Sequence, residues 1–305
     1  MWSDGERREP VSRVKLDVMT DRPEWNLAAM MQSPMLASLH PVLGRLARMV
    51  DARSFPSLQV CNALLETHEP RILVGSGAPL RFVAQEGRSL PFEAQYEPRC
   101  YLKGELQSRE DNWHDLFNAL AWLTFPRSKA AINARHYQTM VADRKAGRSE
   151  RGHRRDMLTL LDESGVIVPC ADGELAALLR EFRWKELFWH RRPRLADAMG
   201  FCVFGHGLCE KILRPYVGMT AQGLILSVEA GYFEWPLERQ LTHLDALLAA
   251  YLSAPGCAQS TRELTPVPLL GVPGWSAESC QEYFYDNARY FRPGRLLSYG
   301  KSVRQ

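Results

Sequence analysis

One stretch constrains this chain more than any other: NWHDLFNALAWLTFPRSKAAINARH, residues 112–136. Its apolar residues recur at helical spacing, and Pro126 cannot continue a helix that began before it. The pattern predicts one helix over 111–125 and a second over 128–145, joined so tightly that the two must lie side by side. On the first, His114 and Asn118 are four apart and Asp115 and Asn118 three apart, so they share one edge. On the second, Lys129, Asn133 and His136 fall at i, i+4 and i+7 and again form one stripe. Two polar stripes on adjacent helices can converge on one pocket. Such a set suits general acid–base chemistry, phosphate binding or metal ligation. Asn112 and Asp115 also have the spacing of a helix capping box, which would explain Asp115 without chemistry.

Three further segments carry chemistry-bearing residues. In FGHGLCEK, a helix starting at Gly205 would place His206 and Glu210 one turn apart, able to share a metal or orient one another. RRDMLTLLDESGVIV reads as a β-hairpin; Asp162 and Glu163 at its tip could take a divalent cation or serve as a base, but acidic residues there are more often turn formers. Arg154 and Asp156 would lie on its first strand, Arg154 placed to clamp a carboxylate or phosphate. In FRWKELFWHRRPR, Trp184 and Trp189 interleave with arginines, a pattern that suits stacked bases or an inward-packed amphipathic helix. No phosphate-binding loop, GxGxxG or GxSxG occurs. The His114-Asp115 pair invites comparison with metal-dependent phosphohydrolases, for which only His68 is available upstream as a further ligand.

Charge is unevenly spread. The net formal charge is +3. Residues 143–155 and 180–194 each hold six basic and two acidic side chains, so the remainder is net acidic. Local basicity suggests an anionic partner: a small molecule or nucleotide, or RNA. The seven cysteines form no CxxC pair and mostly have apolar neighbours. They read as reduced, which points to a cytoplasmic protein. No apolar run reaches the ~20 residues of a membrane helix, so no membrane partner is expected. Asp245 interrupts the longest candidate, near 244–252.

The rest of the chain reads as α+β, mainly helical with a few short strands and hairpins, in a single compact domain. Residues 1–24 are expected to be a flexible N-terminal arm and 25–305 one globular domain, with a possible subdivision near 200. Strands are predicted at 71–75, 80–85 and 224–228, with an extended piece at 101–107. Helices are predicted at 25–68 (broken by Pro41 and Gly44), 172–182, 184–199 (interrupted at Pro193), 205–213 and 237–252.

The 112–136 segment, the RRDMLTLLDESGVIV and FGHGLCEK segments, and the later PVPLLGVPGW and YFYDNARYFRP resemble the bacterial domain-of-unknown-function family 3025. The resemblance covers most of the chain from about residue 30. It supplies no catalytic residues, but it implies that these segments belong to one domain and favours one site over scattered patches. The expectation is therefore an enzyme, of hydrolase or transferase type, acting on an anionic and phosphate-bearing small molecule or nucleotide. Its catalytic residues would be His114, Asp115, His136, His206 and Glu210. Asn118, Lys129, Asn133, Arg154 and Asp156 would bind substrate, and a divalent metal is the expected cofactor if there is one. The rivals are an RNA-binding protein using the basic, aromatic face, and a structural or interaction protein docking through PVPLLGVPGW.

Overall fold

A central strand with no exposed residue organises the structure. It is β3, Gly165–Cys170, reading GVIVPC. Such an apolar run has to be covered on both faces, and parallel pairing with a crossover supplies that cover. β3 pairs in parallel with β5 (Thr220–Ser227) and antiparallel with the two-residue β4 (Cys202–Val203). β5 continues to an antiparallel edge strand, β6 (Thr265–Pro268), giving the order β4-β3-β5-β6. Pro266 and Pro268 lie on β6, where missing N–H groups leave the outer edge without donors. A second sheet pairs β1 (Arg81–Ala84) in parallel with β2 (Glu105–Ser108).

The computed structural model describes residues 23–51, 53–87, 90–147 and 153–294, with the side chains of 153–155 outside that description. Most of the predicted N-terminal arm lies outside the described residues. Eleven α-helices surround the sheets among those described. The chain begins with α1 (Leu27–Gln32), α2 (His40–Leu46), α3 (Leu58–Glu66) and α4 (Tyr96–Lys103). The hairpin pair follows as α5 (Trp113–Thr124) and α6 (Pro126–Lys145). Then come α7 (His153–Ser164), α8 (Gly173–Arg180), α9 (Arg192–Ala198), α10 (His206–Ile212) and α11 (Leu237–Ser253). The α+β, mainly helical architecture matches the expectation. No described helix is long and apolar enough to cross a membrane. All seven cysteines are free.

The largest correction concerns residues 153–170. The predicted hairpin does not form: residues 153–164 are helix α7, which runs directly into β3. The buried residues Met157, Leu158 and Leu161 have helical spacing and pack with Phe125, Ile132 and Leu244. A half-buried strand would instead need period two. Asp156 therefore sits in the first turn of a helix, and Asp162 and Glu163 in its last turn. Arg154 lies on the same helix, but its side chain is outside the described residues.

Smaller corrections share a cause. Pro41 and Pro193 start helices rather than break them, because a missing N–H costs nothing in a first turn. Residues 101–107 split into the end of α4 and β2, with Gly104 in the left-handed conformation between them. The predicted strand at 71–75 makes only an isolated bridge, Leu73 with Pro79.

Candidate functional site

Four helices meet at the carboxyl end of α7. α10 packs on both α5 and α7, and α6 packs on α7. The junction is tight because Phe204 and Gly205 both donate their N–H to the Gly165 carbonyl, at 3.0 and 2.9 Å. A Cβ at 205 would lie 2.5 Å from the Gly165 nitrogen and 2.6 Å from the Ser164 nitrogen. Glycine is thus what lets α10 start against the end of α7. His206 opens α10 and points at Asp162 and Glu163, while α5 brings His114 in from the other side.

The imidazoles meet nitrogen to nitrogen, with His114 Nε2 and His206 Nε2 3.1 Å apart. Glu163 Oε1 lies 3.7 Å from the first and 3.6 Å from the second. The circle through a triangle of sides 3.1, 3.6 and 3.7 Å has a radius of about 2.0 Å, the length of a zinc–nitrogen or zinc–carboxylate bond. Among the described residues this is the group of His, Cys, Asp and Glu side chains close enough to share one ion.

The outer nitrogens explain why the inner ones face each other. His114 Nδ1 lies 3.5 Å from Glu210 Oε2, and His206 Nδ1 lies 3.6 Å from Asp162 Oδ2. A carboxylate opposite Nδ1 favours the tautomer that carries its proton there, which leaves Nε2 as a lone pair. Two lone pairs and a carboxylate oxygen would then converge, an arrangement relieved either by a proton on one Nε2, which makes the 3.1 Å contact a hydrogen bond, or by a shared cation. The charges agree: burial and the neighbouring Asp162 hold the Glu163 carboxyl above its ordinary range, although His114 and Lys129 oppose this. Burial also resists ionisation of Asp162, but the Lys129 ammonium outweighs it and keeps that carboxyl below its usual range.

The site is closed on one side and open on the other. The His206 and Lys129 side chains are 5% and 4% exposed, while those of His114, Glu163 and Glu210 are 31%, 41% and 44% exposed. Three protein donors with solvent on the remaining side match catalytic zinc sites rather than closed structural ones.

Two expected results follow from this geometry. A Cβ at position 207 would sit 2.4 Å from Glu163 Oε2 and 3.6 Å from His114 Cε1. The first contact is with the end of a flexible side chain, which can swing away, and the Glu163 carbonyl oxygen at 3.1 Å has to give by only a few tenths of an ångström. Gly207→Ala should therefore lower the thermal midpoint only modestly and weaken zinc binding by about 10-fold or more, as for other disturbances beside a metal ligand. Isothermal titration alongside a melting curve checks both halves.

The second result concerns pH. Burial pushes the His206 imidazole down to about 3, with Lys129 and His114 adding to the shift and Asp162 opposing it. The unfolded ring titrates near 6.5. Between these values the unfolded state binds more protons than the folded one, so stability falls as pH drops. Metal-free protein should lose up to about 1 kcal/mol per pH unit across that window. Urea unfolding at pH 7.5 and pH 5 should show the loss in the parent chain and much less of it in His206→Gln.

The other candidate residues divide clearly. Lys129 joins the cluster by pairing with Asp162 at 2.5 Å. His136 is buried on the same stripe of α6 and acts electrostatically on Asp162. Asn118 donates to the Tyr96 hydroxyl at 2.6 Å, and Asn133 donates to the Glu97 carboxylate at 2.6 Å and carbonyl at 3.0 Å. The Oδ1 atoms of both asparagines are buried without a hydrogen-bond partner. Asp115 does not orient an imidazole by hydrogen bonding. It takes Arg109 Nε and Nη2 at 2.8 and 2.9 Å, and its backbone N–H is capped by Asn112. His68 bonds locally to the Pro70 carbonyl. Asp162 and Glu163, for which the sequence offers a cation or base role but favours a turn, are the site residues left out of the expected set. The helical spacing of Met157, Leu158 and Leu161 is the signal that would have placed them beside a helix end.

The basic segment 180–194 is heavily paired. Lys185 meets Glu282 and Asp286, Arg191 meets Glu174 and Glu186, and Arg194 meets Asp172 and Glu174. Trp184 is buried and donates to the Arg292 carbonyl, and Arg192 covers the ring of Trp189. In the other basic segment, 143–155, the side chains of residues 148–155 lie outside the described residues.

A family model described as "Protein of unknown function (DUF3025)" matches residues 80–295. No curated protein and no solved structure matches the chain.

Proposed function

The chain belongs to the DUF3025 family of proteins of unknown function, and within it we propose a metal-dependent enzyme of hydrolase type, centred on His114, His206 and Glu163. The observation that supports this reading most is the triangle of donor atoms whose centre lies one metal–ligand bond length from each. Two neutral imidazoles and one carboxylate suit zinc, or iron(II) in a two-histidine, one-carboxylate set; calcium prefers oxygen donors at longer range. When bound, the ion would supply Lewis acidity and a water of lowered pKa.

The chain's own residues set the rest. Asp162 and Glu210 face the outer nitrogens of the two histidines and orient the rings. Solvent reaches the site on the His114, Glu163 and Glu210 side, where substrate enters. Glu210, the most exposed carboxylate of the cluster, is placed to move a proton at that face. Lys129 is already paired, and Asp162, Glu163 and Glu210 outnumber it. The affinity for an anionic, phosphate-bearing substrate proposed from the sequence therefore has to come from the ion's charge.

The test is a zinc titration of chelator-treated protein by calorimetry, with elemental analysis of the untreated protein. One zinc per chain, tighter than micromolar, is the expected result, together with zinc-dependent hydrolysis of a 4-nitrophenyl ester or phosphate. Binding no tighter than millimolar for zinc, iron(II) and manganese alike would end the proposal.

A further inference from the structure

Behind the donor triangle lies a buried pair that ligation itself does not require. Lys129 on α6 reaches Asp162 Oδ1 at 2.5 Å, and the other oxygen of the same carboxylate lies 3.6 Å from His206 Nδ1. The lysine side chain is 4% exposed and the aspartate 20%. Burying a lysine is costly unless its charge is answered, and replacing such a pair with apolar groups is often neutral or stabilising. Packing therefore gives no strong reason for Lys129. Its geometry gives one: it occupies Oδ1, so Oδ2 is the oxygen left to face the imidazole.

His206 has no other anchor. Its Nδ1 is buried and makes no hydrogen bond of normal length within the protein. Its Nε2 faces His114 Nε2. A carboxylate faces each ring nitrogen at 3.6 Å, Glu163 at Nε2 and Asp162 at Nδ1, but the Glu163 side chain is 41% exposed whereas that of Asp162 is 20% exposed and held by Lys129. Only the tautomer protonated on Nδ1 offers Nε2 to an ion. His114 differs, because its Nδ1 faces Glu210, whose side chain is 44% exposed.

We infer that Lys129 and Asp162 are positioning residues that hold His206 in the Nδ1-protonated tautomer, so that the inner imidazole is armed before any ion arrives while the outer one adjusts. The inference rests on the metal-centre reading for its purpose, but the tautomer is observable without metal. Lys129 thus has a different role from the anion-neutralising one its sequence position suggests: its charge is spent inward, on a carboxylate, and reaches the site through the orientation of a ring.

Lys129→Met alone strands a buried carboxylate and can cost the fold. The decisive variant is therefore Lys129→Met with Asp162→Val, which removes both charges with little added volume. Two readouts apply to the full chain: the tautomer of His206 by long-range proton–nitrogen NMR of the metal-free protein, and zinc affinity by competition with a chromophoric chelator. The expected result is a folded double variant in which the Nδ1-protonated form is no longer dominant and zinc affinity falls by about 10- to 100-fold, the usual cost of an outer-sphere partner. Glu210→Gln should change affinity less. A folded double variant that keeps both the parent tautomer and the parent zinc affinity would overturn the inference. If the parent chain shows the Nδ1-protonated ring and the double variant loses it, yet neither binds zinc, the positioning role stands and the metal-centre reading falls.

Discussion

His206→Ala is expected to reduce zinc affinity by more than the ~10- to 100-fold that loss of an outer-sphere partner costs, and so to abolish stoichiometric binding at micromolar protein. The substitution removes one of three donors and leaves two, His114 Nε2 and Glu163 Oε1, 3.7 Å apart on partly exposed side chains. Two such donors hold a divalent ion weakly, because neither is fixed by burial. His206 is the fixed member, at the first position of α10, where Gly205 presses the helix start onto the end of α7. Metal-free His206→Ala should stay folded, since it removes a ring whose Nδ1 makes no normal hydrogen bond. It should also relieve the destabilisation at low pH attributed above to His206. Glu163→Gln should weaken zinc binding severely as well, because a neutral amide oxygen is a poorer ligand. Calorimetry on all three chains, with circular dichroism as the check on folding, decides the matter. Full zinc binding by folded His206→Ala would place the metal elsewhere.

Asp245→Ala is expected to be the most destabilising loss of a polar side chain away from the metal cluster, at about 2–4 kcal/mol. α6 begins at Pro126, whose cap residue Phe125 offers no side-chain acceptor. The first free N–H groups of that helix belong to Arg127 and Ser128. They donate to Asp245 Oδ2 at 3.0 Å and Oδ1 at 2.8 Å, across from α11. Ser128 Oγ adds a bond to the Asp245 carbonyl at 3.0 Å. Asp245 is therefore the N-terminal cap of a helix more than a hundred residues upstream. It is only 4% exposed, so its loss strands two donors where water reaches poorly. Burial raises the Asp245 carboxyl, and the bonds from Ser128 and Arg127 restrain that rise. Asp245→Asn retains one acceptor and should cost less than alanine. Urea unfolding should show the midpoint falling with the slope unchanged. A loss under about 0.5 kcal/mol would mean that the cap is dispensable. Because α6 carries Lys129, the same variant should weaken zinc binding where it remains folded.

Asp245 also shows where sequence reading stops. In the chain it is a charge interrupting an apolar helix, a reason to reject a membrane span. Nothing nearby shows that it caps α6, because the groups it serves are set by packing between α6 and α11. Lys129 is similar. Its stripe with Asn133 and His136 is legible from spacing, but the direction of its charge is not, because its partner lies on α7. Asp162 and Glu163 were visible as an acidic pair and misread as a turn, since Ser-Gly after two acids is as good a turn signal as a helix end. Asp115 shows the same limit from the other side: its neighbour in sequence is His114, but its partner in space is Arg109.

The sequence by itself determined the local elements: the paired helices around Pro126, the stripes they carry, the cap at Asn112, and a helix that begins with His206. These follow from periodicity and from the few residue types that can start or stop a helix, both of which depend on near neighbours. Only the tertiary structure decided that His114 and His206, 92 residues apart, turn their Nε2 atoms toward each other beside Glu163. That meeting depends on how α10 packs on α5 and on α7, which itself lies against the buried sheet, and packing is a property of the whole core rather than of any window of residues.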